Sequence, residues 1–103
     1  MAARVLRFPA SLPGEPFDCA KAKALIREIL KAGTLSFSAH AFGEMKKDDL
    51  QTTDVLSVLR GGWGEPPERE SGTWRYRFKT NRMCAVVAFR SETHAVVVTA
   101  WRE

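Results

Sequence analysis

Between positions 73 and 80 the chain alternates strictly, with Trp74, Tyr76 and Phe78 apolar and Arg75, Arg77 and Lys79 cationic. Period two marks a strand with one face buried. This segment therefore predicts a strand with an aromatic inner face and a row of positive charge outside. Two more apolar runs, 83–89 and 95–101, follow after short polar breaks, so the three together predict an antiparallel meander. If Asn81 and Arg82 make a two-residue turn, Phe78 faces Ala85, Tyr76 faces Val87 and Trp74 faces Phe89, and both inward sets are apolar. An even-length turn over 91–94 then points Val96, Val98 and Ala100 inward and leaves Val97, Thr99 and Trp101 beside the cations. A one-residue bulge flips that last strand and brings Arg102 to the charged face instead.

Upstream the apolar period lengthens from two to about 3.6. Asp18 suits an N-cap, and Ala22, Leu25, Ile26, Ile29 and Leu30 form one stripe of an amphipathic helix running to about Ala32 and closed by Gly33. Residues 34–37 fit either a short strand or an extended linker. Ser38 caps a second helix over 39–47, in which Gly43 costs about 1 kcal/mol of propensity. Thr52 or Thr53 opens a third helix to about Leu59, burying Val55, Leu56 and Leu59 and stopping at Gly61 and Gly62. Residues 63–69 fit an edge strand, since Pro66 and Pro67 exclude a sheet interior. The fold class is α+β, with N-terminal helices packed on one face of a small antiparallel C-terminal sheet. Residues 1–17, broken by Pro9, Pro13 and Pro16, read as an extended arm before a single domain over 18–103.

Composition adds little to the fold and something to the function. With 103 residues, 45% hydrophobic and 27% charged, the chain has the makeup of one globular domain. Its net charge of +4 is unevenly placed: residues 1–68 carry nine Lys/Arg against nine Asp/Glu, and residues 69–103 carry seven against three. The excess sits on the predicted sheet, which favours a polyanion, an acidic partner or solubility alone. Cys19 and Cys84 are too few and too distant for a disulfide framework or a zinc site and read as small hydrophobes. No stretch has the continuous apolar core of a signal peptide or a membrane span, so a reducing cytoplasm is the expected compartment.

Candidate chemistry concentrates on few residues. There is no glycine-rich phosphate loop, no CxxC pair and no HExxH, and two histidines alone do not make a metal site. His40 is the best candidate for proton transfer, because an imidazole titrates near ~6.5. The plainer reading is a helix-terminal residue that only hydrogen-bonds a loop. His94 reads as a polar turn residue and Tyr76, the only tyrosine, as core. Arg75, Arg77 and Lys79 repeat at roughly 6.6–7 Å along a strand, close to the phosphate spacing of a single nucleic-acid strand. Trp101 beside them suits base stacking or a core edge.

The segment 38–61, SAHAFGEMKKDDLQTTDVLSVLRG, resembles a family of small bacterial domains with a Ser-x-His-Ala-x-x-Arg-Met helix. Ser38, His40, Ala41 and Met45 fit that pattern, and Glu44 stands where arginine is usual. The order of elements over 18–103 is similar to the motility-regulator (MqsR-type) mRNA interferases of the RelE-like ribonuclease toxins. The resemblance implies the toxin of a type II toxin-antitoxin system, a metal- and cofactor-free endoribonuclease that cuts mRNA to a cyclic phosphate. It also implies a cognate antitoxin partner, of helix-turn-helix type. On that reading His40, Arg77 and Lys79 are catalytic, and Arg75, Arg77, Lys79, Trp101 and Arg102 bind RNA. The interferases use a tyrosine on a central strand, and residues 82–90 contain none. The alternative is a non-catalytic module that binds RNA or an antitoxin through the same basic face.

Overall fold

A computed structural model describes residues 12–103; the first eleven positions, including Pro9, lie outside the described residues. Helix α1 (Cys19–Ala32) starts where the Asp18 carboxylate accepts the Lys21 N–H at 2.8 Å. It buries Ala22, Ile26 and Ile29 on the expected stripe. It ends at Gly33, which packs against the turn at Thr93: a Cβ at Gly33 would lie 2.4 Å from the Thr93 carbonyl oxygen. Strand β1 (Thr34–Phe37) follows, then α2 (Ala39–Lys47), α3 (Thr52–Gly61), β2 (Trp63–Gly64), β3 (Glu68–Glu70), β4 (Thr73–Lys79), β5 (Met83–Ser91) and β6 (His94–Arg102).

Two helix starts differ in an instructive way. Ser38 caps α2 as expected, its hydroxyl accepting the Ala41 N–H at 3.0 Å. The N-cap of α3 is Gln51, not Thr52 or Thr53, because the Asp54 carboxylate reaches back to the Gln51 N–H at 2.8 Å and closes the first turn one residue earlier. The buried face of α3 accordingly carries Val58 with Val55 and Leu59, while Leu56 is only half-buried.

The architecture is α+β. The strand order is β1-β6-β5-β4-β2, with β3 pairing separately to the first half of β4. All pairings are antiparallel except β1 with β6, which run parallel. Residues 34–37 are thus a strand of the sheet and not a linker, and the sheet is mostly rather than wholly antiparallel. Trp63 and Gly64 pair with β4 before Pro66 and Pro67, and Glu68 to Glu70 pair with it afterwards, so the prolines sit in the gap where no ladder bond is needed.

The first hairpin has the expected register, Tyr76 facing Val87 and Phe78 facing Ala85, with Thr80 N–H bonded to the Met83 carbonyl across Asn81 and Arg82. The register of β6 departs from both expectations, since it contains two irregularities, not none or one. The first, between Phe89 and Ser91, turns Ala95 and Val97 inward. The second leaves Val98 as the extra residue opposite β5 and restores Ala100 inward with Thr99 and Trp101 outward. Val96 and Val98 are therefore not on the inner face, and Val97 is. The clamp at this bulge is Ser38, whose N–H donates to the Val97 carbonyl at 3.0 Å and whose hydroxyl donates to the Val98 carbonyl at 3.0 Å.

Helices α1 and α3 cover the inner face and α2 packs on β6 with Ala41 and Met45, closing a core that includes Ile26, Ile29, Val55, Val58, Leu59, Tyr76, Phe78, Val87 and Val97. The end of the arm packs on the domain. Phe17 is buried against Tyr76 and Phe89, with ring centroids 6.0 and 5.8 Å away. Tyr76 Oη donates to Glu15 Oε2 at 2.7 Å and accepts the Phe17 N–H at 3.1 Å. A buried phenol needs partners, and the end of the arm supplies both.

Candidate functional site

The alternation of β4 sends Arg75, Arg77 and Lys79 to the outer face, which the helices leave open. Across the sheet they meet Cys84, Val86 and Ala88 on β5 and then Thr99 and Trp101 on β6. One rim of this face is the start of α2, where the Ser38 cap holds the exposed His40 beside Val98 and Thr99. The opposite rim is the segment 65–70, which begins with the Glu65 N–H bonded to the Arg77 carbonyl at 2.9 Å and continues into β3. Between the rims lies a cavity of about 520 Å³ lined by His40, Glu65, Glu68, Glu70, Arg75, Arg77 and Trp101 among others.

The cavity brings four of the expected residues together: His40, Arg75, Arg77 and Trp101. His40 makes no hydrogen bond with the described residues, so it is not the loop-bonded histidine of the plainer reading. The Arg77 guanidinium lies 5.9 Å from the Trp101 ring centroid, and the Trp101 indole N–H donates to Glu103 at 2.8 Å. The Nε atoms of Arg75 and Arg77 are buried and bonded to no acceptor among the described residues. The Arg75 and Arg77 side chains nonetheless remain partly exposed where they line the cavity, and guanidinium groups there suit an anion.

Two expected residues lie elsewhere. Lys79 is not among the cavity's lining residues; its ammonium is 3.5 Å from Glu103. Arg102 pairs with Met83, which packs on the core, so it points to the helix side of the sheet. There its backbone N–H donates to the Asp48 carboxylate and its guanidinium to the Asp48 and Asp49 carbonyls, at 2.8 to 3.2 Å. The second bulge in β6 is the cause. His94 is not a turn residue: it opens β6 and its Nε2 lies 2.9 Å from Ser36 Oγ.

The face is also less cationic than its sequence implies. Arg75 pairs with Glu70 at 3.7 Å and Arg77 with Glu68 at 3.8 Å. Both distances exceed a hydrogen bond, and both carboxylates are largely exposed, so the pairs hold loosely. Counting Glu65, three carboxylates and two guanidinium groups line the cavity. On the same face, opposite Lys79, Cys84 is buried, and burial pushes its thiol up to about 11, against the opposing pull of Arg77 and Lys79. These glutamates are the functional candidates missed in the sequence. The signal was present: a hairpin across Ser71 and Gly72, both at positive φ, pairs Glu70 with Thr73 and Glu68 with Arg75.

Among the described residues no group of three or more His, Cys, Asp or Glu is placed to hold a metal ion, and no helix is long and apolar enough to cross a membrane. A family model described as a domain of unknown function (DUF4258) matches residues 37–102, so the chain belongs to that family. The match runs from the end of β1 through β6 and so contains every residue of the cavity. No curated protein and no solved structure matches the chain.

Proposed function

Taking this DUF4258 member and its outer-face cavity as the starting point, we propose that the chain is a metal-independent endoribonuclease of the toxin type, with RNA lying across the open face of the sheet. The finer kinship, to MqsR-type interferases and the RelE-like toxins with a cognate antitoxin, is part of this proposal. The observation that supports it is the convergence, in one cavity, of an imidazole with no hydrogen-bond partner among the described residues and two arginines with partly exposed side chains. In-chain cleavage of RNA proceeds by attack of the 2′-hydroxyl on the adjacent phosphorus, leaving a 2′,3′-cyclic phosphate and a 5′-hydroxyl. Arg75 and Arg77 hold the phosphate and balance the charge that builds on its oxygens. His40 moves a proton, and Trp101 offers a face for a base.

The test is incubation of the purified full chain with single-stranded RNA, with His40→Ala and Arg77→Ala beside it. Discrete cyclic-phosphate ends from the wild type, lost in both variants without loss of folding, are expected. A wild type that binds RNA and leaves it intact favours the second reading, a non-catalytic module. The three carboxylates in the cavity support that alternative to the extent that they also suit a basic segment of a protein partner.

A further inference from the structure

Transesterification of RNA requires two proton transfers, one from the attacking 2′-hydroxyl and one to the departing 5′-oxygen. Arginine stays protonated and serves neither as base nor as a practical acid. The remaining titratable side chains of the cavity are His40, Glu65, Glu68 and Glu70. His40 stands on the α2 rim and the three glutamates on the opposite one. Arg77, Val86 and Thr99 form one rung across the floor between those rims. Glu68 is the carboxylate paired with the arginine of that rung, at 3.8 Å, whereas Glu70 pairs with Arg75. At 3.8 Å the Glu68 oxygen accepts no hydrogen bond from Arg77, so its lone pairs remain available to a hydroxyl.

We propose that Glu68 is the general base of the reaction and that His40, as imidazolium, is the general acid. This rests on the endoribonuclease reading given above. A Glu68 carboxylate oxygen takes the 2′-hydroxyl proton as the 2′-oxygen bonds to phosphorus. The bond from phosphorus to the 5′-oxygen breaks, and His40 gives that oxygen its proton. The acidic rim of a phosphate site then has a chemical role, and the absence of a central-strand tyrosine ceases to be a difficulty.

A substrate pair separates base from acid. One RNA oligonucleotide carries an ordinary linkage, and the other a 5′-bridging sulfur at the same position, whose departure needs no proton. With the full chain, Glu68→Gln is expected to cut the ordinary linkage about 10²–10⁴-fold more slowly and to stay equally impaired on the sulfur linkage. His40→Ala is expected to be impaired on the first and largely restored on the second. Both variants should bind a 2′-O-methyl oligonucleotide as the wild type does. The assignment is overturned if Glu68→Gln cuts normally, if sulfur restores it, if it loses binding in step with cleavage, or if Glu65→Gln or Glu70→Gln carries the loss instead. A wild type that cuts neither substrate overturns the endoribonuclease reading itself, and the assignment with it.

Discussion

The two faces of β4 are built from the same seven residues and held in opposite ways. Tyr76 and Phe78 on the inner face are each 1% exposed and belong to a core drawn from three helices and three strands. Arg75, Arg77 and Lys79 on the outer face are each balanced by one carboxylate, and each carboxylate comes from another stretch of chain. Apolar contact is additive and non-directional, so the inner face is secured many times over. The outer face depends on single, loosely held partners. The inner face therefore carries stability and the outer face is available for chemistry.

That contrast is most directly broken by comparing one truncation on each side. Phe78→Ala removes a fully buried ring and is expected to cost about 3–5 kcal/mol, enough to unfold much of a domain this small. Arg77→Ala, one residue earlier, is expected to change stability by no more than about 1 kcal/mol, because it removes a loose ion pair, a distant contact with the Trp101 ring and a buried donor without an acceptor. Urea unfolding of the two variants gives both numbers, and comparable losses would mean that the charged face is part of the scaffold.

The same contrast explains what the sequence discloses. Period-two alternation in residues 73–79, the 3.6 period of 19–32 and the caps at Asp18 and Ser38 are local signals, and the structure follows them. The register of β6 is not local. Its second bulge is tied to Ser38, some sixty positions away, and decides that Trp101 reaches the cavity and Arg102 does not. The loss of net positive charge has the same origin, since Glu68, Glu70 and Glu103 become partners of the basic row only once the strands pair. Residues 12–17 were legible as proline-rich, but not as the turn that the Glu15 N–H closes on the Leu12 carbonyl, nor as the cover for the one buried phenol.

Cys84 sharpens the comparison, because it belongs to the outer face by register and is nonetheless buried. Its folded-state proton is retained up to about pH 11, while the unfolded chain releases it near 9. Between those values the folded protein binds more protons than the unfolded, so stability is complete below pH 9 and falls as pH rises toward 11, by up to about 2–3 kcal/mol. Tyr76, raised by burial, adds a decline in the same direction at higher pH. Denaturant midpoints followed from pH 8 to 11 should fall less steeply in Cys84→Ala than in the wild type. Parallel curves would show that water reaches the thiol and that the outer face is not dry at this position.

On the inner face the smallest probe is a single oxygen. Tyr76→Phe keeps the ring and its packing on Phe17 and Phe89 but leaves the Phe17 N–H and the Glu15 carboxylate without the phenol. A loss of about 1–2 kcal/mol is expected, together with faster proteolysis within the arm. An unchanged cleavage rate would mean that Phe17 alone holds the arm in place.

Ser38 joins the two regions, and its removal separates them with the least energy. Its hydroxyl accepts the Ala41 N–H, which starts α2, and donates to the Val98 carbonyl, which pins the bulge. Ser38→Ala is expected to cost about 1 kcal/mol as a lost cap, less than any core truncation. Its effect on the outer face should be disproportionate, since His40 is the second residue of the helix that this cap positions. On the endoribonuclease proposal, RNA binding through Arg75 and Arg77 should persist while cleavage falls, and restoring a capping side chain with Ser38→Thr should recover cleavage and stability. If cleavage instead follows stability in strict proportion, His40 does not depend on this junction, and the two faces of the sheet are more independent than their shared clamp implies.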